Sequence, residues 1–367
     1  MRVHWRQIPG TKNSYAALYA ACELSGFSLE SVDEPTDEVT CYSLNSISEP
    51  HFREEIRGAS CITIVGGPHA SACPQAVAEY ADYVVVGEGE YTLPALLRSI
   101  ERGSSTLPAG VATKDNFTPA RHCVCLNAYP PFSTMKGYIE ISRGCPHACA
   151  YCQTPRIFGH RMRHRSIDTI CRAARRYRDV RFISPNAFAY GSDGITPRLE
   201  KVERLLRQLD NRIFFATFPS EVRPEFITPA SLDLLDRYCA NRKVHFGAQS
   251  GSERVLKRIG RGHSSGDVIA AVELCHDHGF TPVVDYIVGF PFETDEDQRE
   301  TLSQIEWVTN HGMVHAHYFT PLPGTPLGGA HPRVLLPEVN RTLGRLALKG
   351  KLTGSWIDPE VRFFRQN

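Results

Sequence analysis

The feature that most limits the fold of this sequence is an alternation of short apolar strands with helical segments. Residues 59–65 (ASCITIV) form a near-continuous apolar run that ends at Gly66-Gly67-Pro68. Runs of this kind are typical of strands that are covered on both faces of a parallel sheet. The same alternation predicts strands at 2–6, 27–32, 39–44 and 83–86, and helices at 13–25, 74–80 and 90–102. Residues 1–103 are therefore predicted to form a doubly wound, Rossmann-like α/β domain.

A second alternating stretch covers residues 137–326. Its predicted strands are 138–142, 180–184, 213–217, 244–249, 282–288 and 314–320, and its predicted helices are 166–177, 198–210, 230–239, 267–279 and 295–310. Repeated βα units of about 30 residues, fewer than the eight of a closed barrel, predict a partial (β/α)6 barrel. The loops at the carboxyl ends of its strands are expected to carry the chemistry.

Two segments lack this alternation. Residues 104–136 are rich in Ser, Thr, Pro and Asn and are predicted to be an interdomain linker. Residues 327–367 are predicted to be a short helical extension with one helix at 337–349.

The charge balance, the first residues and the cysteine content together favour a soluble, cytoplasmic protein. The chain has 41 basic and 40 acidic residues, so nothing global favours nucleic acid or a membrane surface as a partner. The first nine residues contain no apolar stretch typical of a secretory signal. Twelve cysteines without such a signal suit a reducing compartment better than a disulfide framework.

Three cysteines directly after the first predicted barrel strand carry the strongest chemical signal. Cys145, Cys149 and Cys152 have the spacing C-x3-C-x2-C on a loop that contains glycine and proline. Soft thiolates on such a loop suit an iron–sulfur cluster, whereas a structural zinc site needs four ligands and no second CxxC pair is present. His147 is a conceivable fourth ligand, but it sits between the cysteines. Three cysteine ligands leave one iron of a [4Fe–4S] cluster open to a substrate.

This loop resembles that of the radical S-adenosylmethionine (SAM) superfamily, whose pattern is C-x3-C-x-aromatic-C. Tyr151 supplies the aromatic residue. The resemblance implies that SAM chelates the open iron and that electron transfer cleaves it to methionine and a 5′-deoxyadenosyl radical. It also implies an electron donor as a partner.

Later strand ends resemble the same superfamily in the expected order. They are PSEVRP at 219–224, GAQSGS at 247–252, IVGFP at 287–291 and FTPLPGTP at 319–326. Relatives often have Glu where Gln249 stands. The SAM-binding residues that the resemblance implies are Tyr151, Ser184, Asn186, Ser220, Glu221, Arg223, Gln249, Val288, Gly289 and Pro321. Tyr190 is a candidate catalytic residue, as a hydrogen donor or acceptor near the substrate.

The N-terminal domain is similar to the cobalamin-binding domains that precede some radical SAM barrels. VGGPH at 65–69 and VGEGE at 86–90 resemble their two glycine loops, although the Asp-x-His-x-x-Gly loop that supplies a cobalt ligand elsewhere is absent. The implied cobalamin-binding residues are Ser43, Asn45, Ser46, Gly66, Gly67, His69, Gly87, Glu88, Gly89 and Glu90. A Rossmann-like domain that binds no ligand is the alternative.

Both cofactors together resemble the cobalamin-dependent (class B) radical SAM methyltransferases. This implies transfer of a methyl group from methylcobalamin to an unactivated carbon. The short chain and the stretch 144–167 most resemble methanogen enzymes that methylate the Cα of a glutamine in methyl-coenzyme M reductase. The substrate is then a protein or peptide, and the reaction a post-translational modification.

Three alternatives stay open. Methylthiotransferases share the barrel motifs but need a second three-cysteine cluster, which Cys22, Cys41, Cys61 and Cys73 do not match. Cobalamin-dependent radical SAM cyclases or rearrangement enzymes keep both cofactors without transferring a methyl group. A non-enzymatic cobalamin or cluster sensor would show no SAM turnover.

Overall fold

The computed structural model describes residues 1–120 and 123–357. They form two compact units. The first contains residues 1–140 together with Gln153–Gly159 and Arg163–Arg176, and the second contains Ile141–Cys152, His160–Met162 and the chain from Tyr177 onward. The predicted linker, residues 104–136, thus belongs to the first unit. Among the described residues, no helix is both long and apolar enough to cross a membrane.

The strands and helices alternate along most of the chain. The strands are β1 (Val3–Arg6), β2 (Leu29–Val32), β3 (Val39–Ser43), β4 (Ile62–Gly66), β5 (Tyr83–Val85), β6 (Val111–Ala112), β7 (Ile139–Glu140), β8 (Ser142–Arg143), β9 (Arg163–His164), β10 (Asp179–Ile183), β11 (Arg212–Phe214), β12 (Lys243–Gln249), β13 (Thr281–Val288), β14 (Met313–Tyr318) and β15 (Leu352–Ser355). The helices are α1 (Lys12–Glu23), α2 (Glu49–Gly58), α3 (Pro68–Ala72), α4 (Pro74–Ala78), α5 (Gly89–Glu101), α6 (Thr154–Phe158), α7 (Ile167–Ala174), α8 (Leu199–Leu206), α9 (Pro229–Tyr238), α10 (Glu253–Arg258), α11 (Ser265–Asp277), α12 (Asp295–His311) and α13 (Pro337–Leu348).

The first unit contains a sheet in the order β2-β1-β3-β4-β5-β6. Strands β1 to β5 are parallel and β6 is antiparallel. Successive side chains of β3 enter different cores, because Cys41 packs with residues of α1 and α5 while Tyr42 packs with Ile56 of α2 and Val77 of α4. The sheet is therefore covered on both faces, and the predicted doubly wound α/β class is confirmed.

The second unit contains the parallel pair β10–β11 and the parallel sheet β12-β13-β14-β15. A backbone hydrogen bond of 2.9 Å from His245 N–H to Ala216 O links the segment after β11 to β12. On the outer face, helices α11 and α12 contact strand β13. The carboxyl ends of these strands supply the loops described below.

Some elements differ from the sequence prediction. Helix α2 was not predicted, because of its ten residues only Glu49 and Ile56 are buried and it shows little apolar pattern. The predicted linker contains strand β6, whose two residues are buried beside β5, and a 3-10 helix at Leu126–Ala128. The predicted helical extension, residues 327–367, also contains β15, which pairs with β14 through its backbone.

Candidate functional site

The three-cysteine loop begins directly after β8, in the second unit. The amide of Ile141, just before β8, donates to Ile183 O of β10 at 3.0 Å, which fixes where this loop leaves the sheet. Cys149 is buried, whereas Cys145 and Cys152 are partly exposed. The amide of Cys152 donates to Cys149 O at 3.1 Å, so the last two cysteines lie on one tight turn.

Loops from other βα units of the second unit hold this turn in place. The amide of Ala150 donates to Ile259 O at 2.9 Å, and Leu327 N–H donates to Ala150 O at 3.3 Å. Gly194 has a φ of +90°, and a Cβ there would lie 2.8 Å from the ring of Pro146. The cysteine loop is therefore fixed by residues that follow α10, β14 and β10.

Arg261, between α10 and α11, extends from this loop towards the centre of the second unit. Its Nη2 donates to Gly247 O at 2.8 Å, and its guanidinium lies within electrostatic reach of the sulfur of Cys149. Burial opposes its charge, but Tyr151 and Cys149 raise the pKa of Arg261 above its usual value. The neighbouring Gly260 O accepts from Cys149 Sγ at 3.7 Å. A permanent positive charge therefore acts electrostatically on one of the three candidate cluster ligands.

Two carboxyl groups, the partly buried Glu221 and the buried Asp285, lie within electrostatic reach of Arg261. Burial raises the pKa of Glu221, and it raises the pKa of Asp285 further with help from the charge of Glu221. Arg261 opposes both shifts. Asp285 Oδ2 is buried without a hydrogen-bond partner among the described residues. These two acids therefore resist carrying two negative charges at once.

The residues predicted to bind SAM all lie in the second unit. They follow successive strands, with Ser184 and Asn186 after β10, Ser220, Glu221 and Arg223 after β11, Gln249 at the end of β12, Val288 and Gly289 at the end of β13, Pro321 after β14 and Tyr151 in the cysteine loop. Since the carboxyl ends of parallel strands share one edge, this order places them on one side of the unit.

Several of these side chains already have protein partners. Arg223 pairs through Nε with Glu225 and donates from Nη2 to Arg261 O. Tyr151 packs against Phe290, with ring centroids 6.0 Å apart. Ser184 Oγ donates to Asn186 O at 2.9 Å and shapes the turn after β10.

Asn186 differs from these groups. The side chain of Asn186 is 5% exposed, and both its Oδ1 and Nδ2 are buried without partners among the described residues. An amide in this condition is costly unless a ligand or water satisfies it. Tyr190, the candidate catalytic residue, is also buried, and its proposed role remains a prediction.

The turn after β13 has a backbone that only glycine fits. Gly289 has a φ of +85°, and a Cβ there would lie 2.9 Å from Arg333 O and from the ring of Tyr318. Gln249 has a φ of +73° beside a register shift between β12 and β13. Both strand ends are thus locally irregular, as is common where a sheet edge approaches a ligand.

In the first unit, the loops after β3 and β4 contact one another. Leu44 N–H donates to Gly66 O at 2.9 Å, and His69 N–H donates to Leu44 O at 3.0 Å. Gly67 has a φ of +95°, and a Cβ there would lie 2.6 Å from Leu44 O and 2.9 Å from Ser43 Oγ. This close approach explains why residue 67 is a glycine, because no side chain fits between the two loops.

The polar residues of these two loops are held by local hydrogen bonds. Asn45 Oδ1 accepts from the amides of Ile47 and Ser48 at 2.9 and 2.8 Å. Ser46 Oγ lies 3.3 Å from His69 Nδ1. Burial lowers the pKa of His69, so its imidazole is neutral near pH 7. The pair Ser46 and His69 faces the same edge as Gly67.

The loop after β5 is engaged differently. Gly87 N–H donates to Ser71 Oγ at 2.9 Å, and Gly89 packs close to Leu18. Glu88 pairs with Arg163 at 2.9 Å and also accepts from the amide of Val124. The hydroxyl of Tyr129 donates to buried Glu90 at 2.8 Å. Both carboxylates therefore fasten the segment around residues 124–129 to this domain, whatever they contribute to ligand binding.

Comparison with known proteins identifies a domain in this part of the chain. Residues 139–305 match the model of the radical SAM superfamily. The chain carries a radical SAM domain. Such a domain implies a [4Fe–4S] cluster and SAM, and the three-cysteine loop lies inside the matched residues.

Similar sequences and structures extend beyond the radical SAM domain. The tRNA-2-methylthio-N(6)-dimethylallyladenosine synthases of Pelobacter propionicus and Anaplasma phagocytophilum are 33% and 26% identical over 66% and 89% of this chain. The chain spans 57% and 76% of those two proteins.

TsrM of Kitasatospora setae, a radical SAM methyltransferase solved with cobalamin and a [4Fe–4S] cluster, is 18% identical, with a TM-score of 0.67 over 89% of this chain and 77% of TsrM. The cobalamin-dependent radical enzyme OxsB, solved with aqua-cobalamin, is also 18% identical, with a TM-score of 0.64 over 95% of this chain and 55% of OxsB.

The cysteine loop of the radical SAM domain fits an iron–sulfur cluster by its donor chemistry. Burial raises the pKa of the Cys145 thiol, and the neighbouring Cys152 and Cys149 raise it further, so the three sulfurs interact. Bound iron reverses this effect because it stabilises the thiolates. Among the described residues, no three His, Cys, Asp or Glu side chains are grouped closely enough for a single metal ion.

Three residues of the radical SAM domain were missed by sequence reasoning. They are Arg261, Asp285 and Glu293, whose carboxylate accepts from the amide of Gly289 at 3.0 Å. Asp285 had a detectable signal, since it is the one acid inside the apolar strand 282–288. Arg261 lies between two glycines, a pattern that by itself does not distinguish a buried arginine from an exposed one.

Proposed function

We propose that this protein is a cobalamin-dependent radical SAM C-methyltransferase whose substrate carbon is the Cα of a glutamine in methyl-coenzyme M reductase. The observation that carries the cobalamin assignment is the first unit, whose strands have the order β2-β1-β3-β4-β5 and end in close-packed glycine loops. In sheets of this order, ligands bind outside the carboxyl ends of the strands, near the point between β1 and β3 where the order reverses.

The loops at this edge suit a large flat ligand. Because Gly67 has no side chain, the backbone after β4 packs directly on Leu44, which leaves the loop surface flat. Bound there, cobalamin supplies the methyl group, while the cluster and SAM supply the radical that activates the substrate carbon. The likeness to TsrM and OxsB, both solved with cobalamin, supports this assignment.

Within this edge we assign His69 a hydrogen-bonding role rather than cobalt ligation. Its imidazole is neutral, and its Nδ1 lies beside Ser46 Oγ at 3.3 Å. Ser43, Asn45 and Ser46 precede α2 on the neighbouring loop. Together these groups offer donors and acceptors to the amide side chains at the rim of the corrin.

The substrate proposal is supported by the resemblance of residues 144–167 to the methanogen glutamine methyltransferases. In such an enzyme the glutamine must be presented on a flexible protein segment, since a backbone carbon has to reach the radical. The reaction also needs an electron donor that reduces the cluster. We place the protein in the cytoplasm.

Methylthiotransfer is the second candidate, because the Pelobacter synthase is 33% identical over 257 residues. That chemistry requires a second cluster in the first unit. Cys22 and Cys41 belong instead to the core between the sheet and helices α1 and α5, and burial raises the pKa of both thiols. Buried thiols in a packed core are poor cluster ligands, which favours methyl transfer over methylthiolation.

The experiment uses the full chain purified without oxygen and reconstituted with iron, sulfide and hydroxocobalamin. It is incubated with SAM, a reductant and a glutamine-containing peptide from methyl-coenzyme M reductase. Mass spectrometry should show the gain of one CH2 at the glutamine. A gain of CH2 plus sulfur identifies methylthiolation, and 5′-deoxyadenosine without any modified peptide contradicts the substrate assignment.

A further inference from the structure

We propose that Arg261 is a positioning residue whose buried charge, held directly after the Gly260 that bonds Cys149, raises the reduction potential of the [4Fe–4S] cluster. The proposal rests on the cluster of the proposed function, but not on cobalamin or on the substrate. It concerns the one-electron reduction of the cluster from the 2+ to the 1+ state by an external donor.

The position of Arg261 beside the cysteine loop is fixed by several bonds. The loop amide of Ala150 is bound to Ile259, and Cys149 Sγ donates to Gly260 O, so the segment of Arg261 follows the loop closely. The guanidinium is in turn held by Gly247 O at 2.8 Å, while its own carbonyl accepts from Arg223. A rigidly held cation near a ligand sulfur cannot move away when the cluster changes charge.

Arg223 provides an internal comparison, because it is a second buried arginine near the loop. Arg223 lowers the pKa of Cys145 electrostatically, but its Nε is paired with the carboxylate of Glu225. The acids near Arg261 are Glu225, Glu221 and Asp285, and burial raises the pKa values of the last two. Arg223 forms a direct ion pair with Glu225, whereas Arg261 forms none among the described residues.

The physical consequence follows from the charge of the cluster. Reduction adds one negative charge to the cluster, and a nearby cation and a hydrogen bond to a ligand sulfur both stabilise the reduced state. Arg261 supplies the cation. It should make the cluster easier to reduce, and a neutral residue in its place should shift the midpoint potential to a more negative value.

The test is an EPR-monitored redox titration of the anaerobically reconstituted full chain, without SAM, cobalamin or peptide. Arg261→Gln and Arg261→Met remove the charge, and Arg261→Lys keeps it. Arg258→Gln is the matched control, since Arg258 is an exposed arginine at the end of α10. Iron and sulfide content establish that each variant holds a full cluster.

We expect both neutral variants to have a more negative midpoint than wild type, the lysine variant to lie between them and wild type, and the control to match wild type. A wild-type midpoint in either neutral variant overturns the proposal, as does a lysine variant shifted as far as glutamine. Two neutral variants are used because one of them can fail to retain the cluster.

Failure of this inference and failure of the proposed function give different results. Unchanged potentials in variants that still methylate the peptide contradict the role of Arg261 alone. Shifted potentials in the variants, together with a wild-type protein that forms 5′-deoxyadenosine but no methylated peptide, contradict the substrate assignment alone.

Discussion

The carboxylate of Glu293 accepts the backbone N–H of Gly289 at 3.0 Å, although it is almost completely buried. This bond closes the turn after β13, where Gly289 also accepts from Arg333 N–H at 2.9 Å. Burial raises the pKa of Glu293 to about 7, and the amides of Gly289 and Phe290 only partly oppose it. The turn that carries two predicted SAM-binding residues is thus fastened by an acid that ionises near neutral pH.

Replacing Glu293 with Gln should flatten the pH dependence of stability. A carboxyl whose pKa is higher in the folded than in the unfolded state destabilises the fold as pH rises through that interval. Between the ordinary value of 4.5 and about 7, wild type should lose on the order of 3 kcal/mol of unfolding free energy. Glu293→Gln keeps an acceptor for Gly289 and cannot ionise, so it should be the more stable protein at pH 8.

The measurement is chemical denaturation of the apoprotein at pH 5 and pH 8. Glu300→Gln, at an exposed position of α12, is the control and should follow wild type. Parallel pH profiles for Glu293→Gln and wild type would show that this carboxyl is not the source of the pH dependence.

Gly67→Ala should abolish cobalamin binding by distorting the loop after β4. The added Cβ would lie 2.6 Å from Leu44 O, and the backbone angles at this position (φ 95°, ψ −178°) are adopted almost only by glycine. Gly26→Ala is a matched control, since its φ is +86° but no atom lies within 4 Å of the new Cβ. It should cost about 1–2 kcal/mol of backbone strain and no more.

Binding is measured from the visible spectrum of protein that has been incubated with hydroxocobalamin and desalted. Wild type and Gly26→Ala should retain the corrin, and Gly67→Ala should not. Equal retention by both variants would place the cobalamin site away from this loop.

Cys149→Ser should remove most of the bound iron, because a hard hydroxyl is a poor substitute for a thiolate ligand. Cys125→Ser alters an exposed cysteine outside the loop and should keep the full iron and sulfide content. Both variants should have the thermal stability of wild-type apoprotein to within about 1 kcal/mol, as the substitution is nearly isosteric. Retention of a normal cluster EPR signal by Cys149→Ser would remove this cysteine from the ligand set.

The sequence pattern predicts those parts of the fold whose side chains are buried in a regular order. Strand β13 was predicted at 282–288 and is observed at Thr281–Val288, because nearly all of its residues are apolar and covered. Strand β15 was missed because only Leu352 is buried. Its remaining contacts are polar pairs, such as Thr353 Oγ1 with His315 Nδ1 at 2.8 Å, which resemble a solvated coil in sequence.

The candidate site also contains some features that the sequence predicts and others that it does not. The ligand cysteines follow from spacing alone, since chain-local geometry determines which residues share a loop. The electrostatic interaction between Arg261 and Cys149 joins residues more than 100 positions apart, and it depends on how α10 packs beside the loop. Glu88 and Glu90 were predicted from their glycine loop, but their partners Arg163 and Tyr129 come from distant segments that no local pattern connects.

Arg165→Met should destabilise the first unit. The Arg165 side chain is almost completely buried; its Nη1 donates to Leu126 O and to Tyr129 O, and its guanidinium lies 4.8 Å from the ring centre of Tyr129. Loss of the guanidinium leaves two carbonyl groups and Glu140 without this partner. The free energy of unfolding should therefore fall by about 3 kcal/mol. Hydrogen exchange should accelerate in residues 124–129, and exposed Arg161→Met should leave it unchanged.

His263→Gln should protect the second unit against acid. His263 is buried, with Nε2 donating to Ala248 O at 3.1 Å, and burial together with Arg261 and Arg223 lowers its pKa to about 3. A histidine that is neutral in the folded state but protonated in the unfolded state destabilises the fold as pH falls below 6.5. The loss should approach the order of 4 kcal/mol near pH 3. Glutamine keeps an N–H donor for Ala248 without a titrating group, so the variant should unfold at a lower pH than wild type.

Acid titrations followed by circular dichroism test this, with exposed His160→Gln as the control. Identical acid midpoints for His263→Gln and wild type would mean that another group governs acid unfolding.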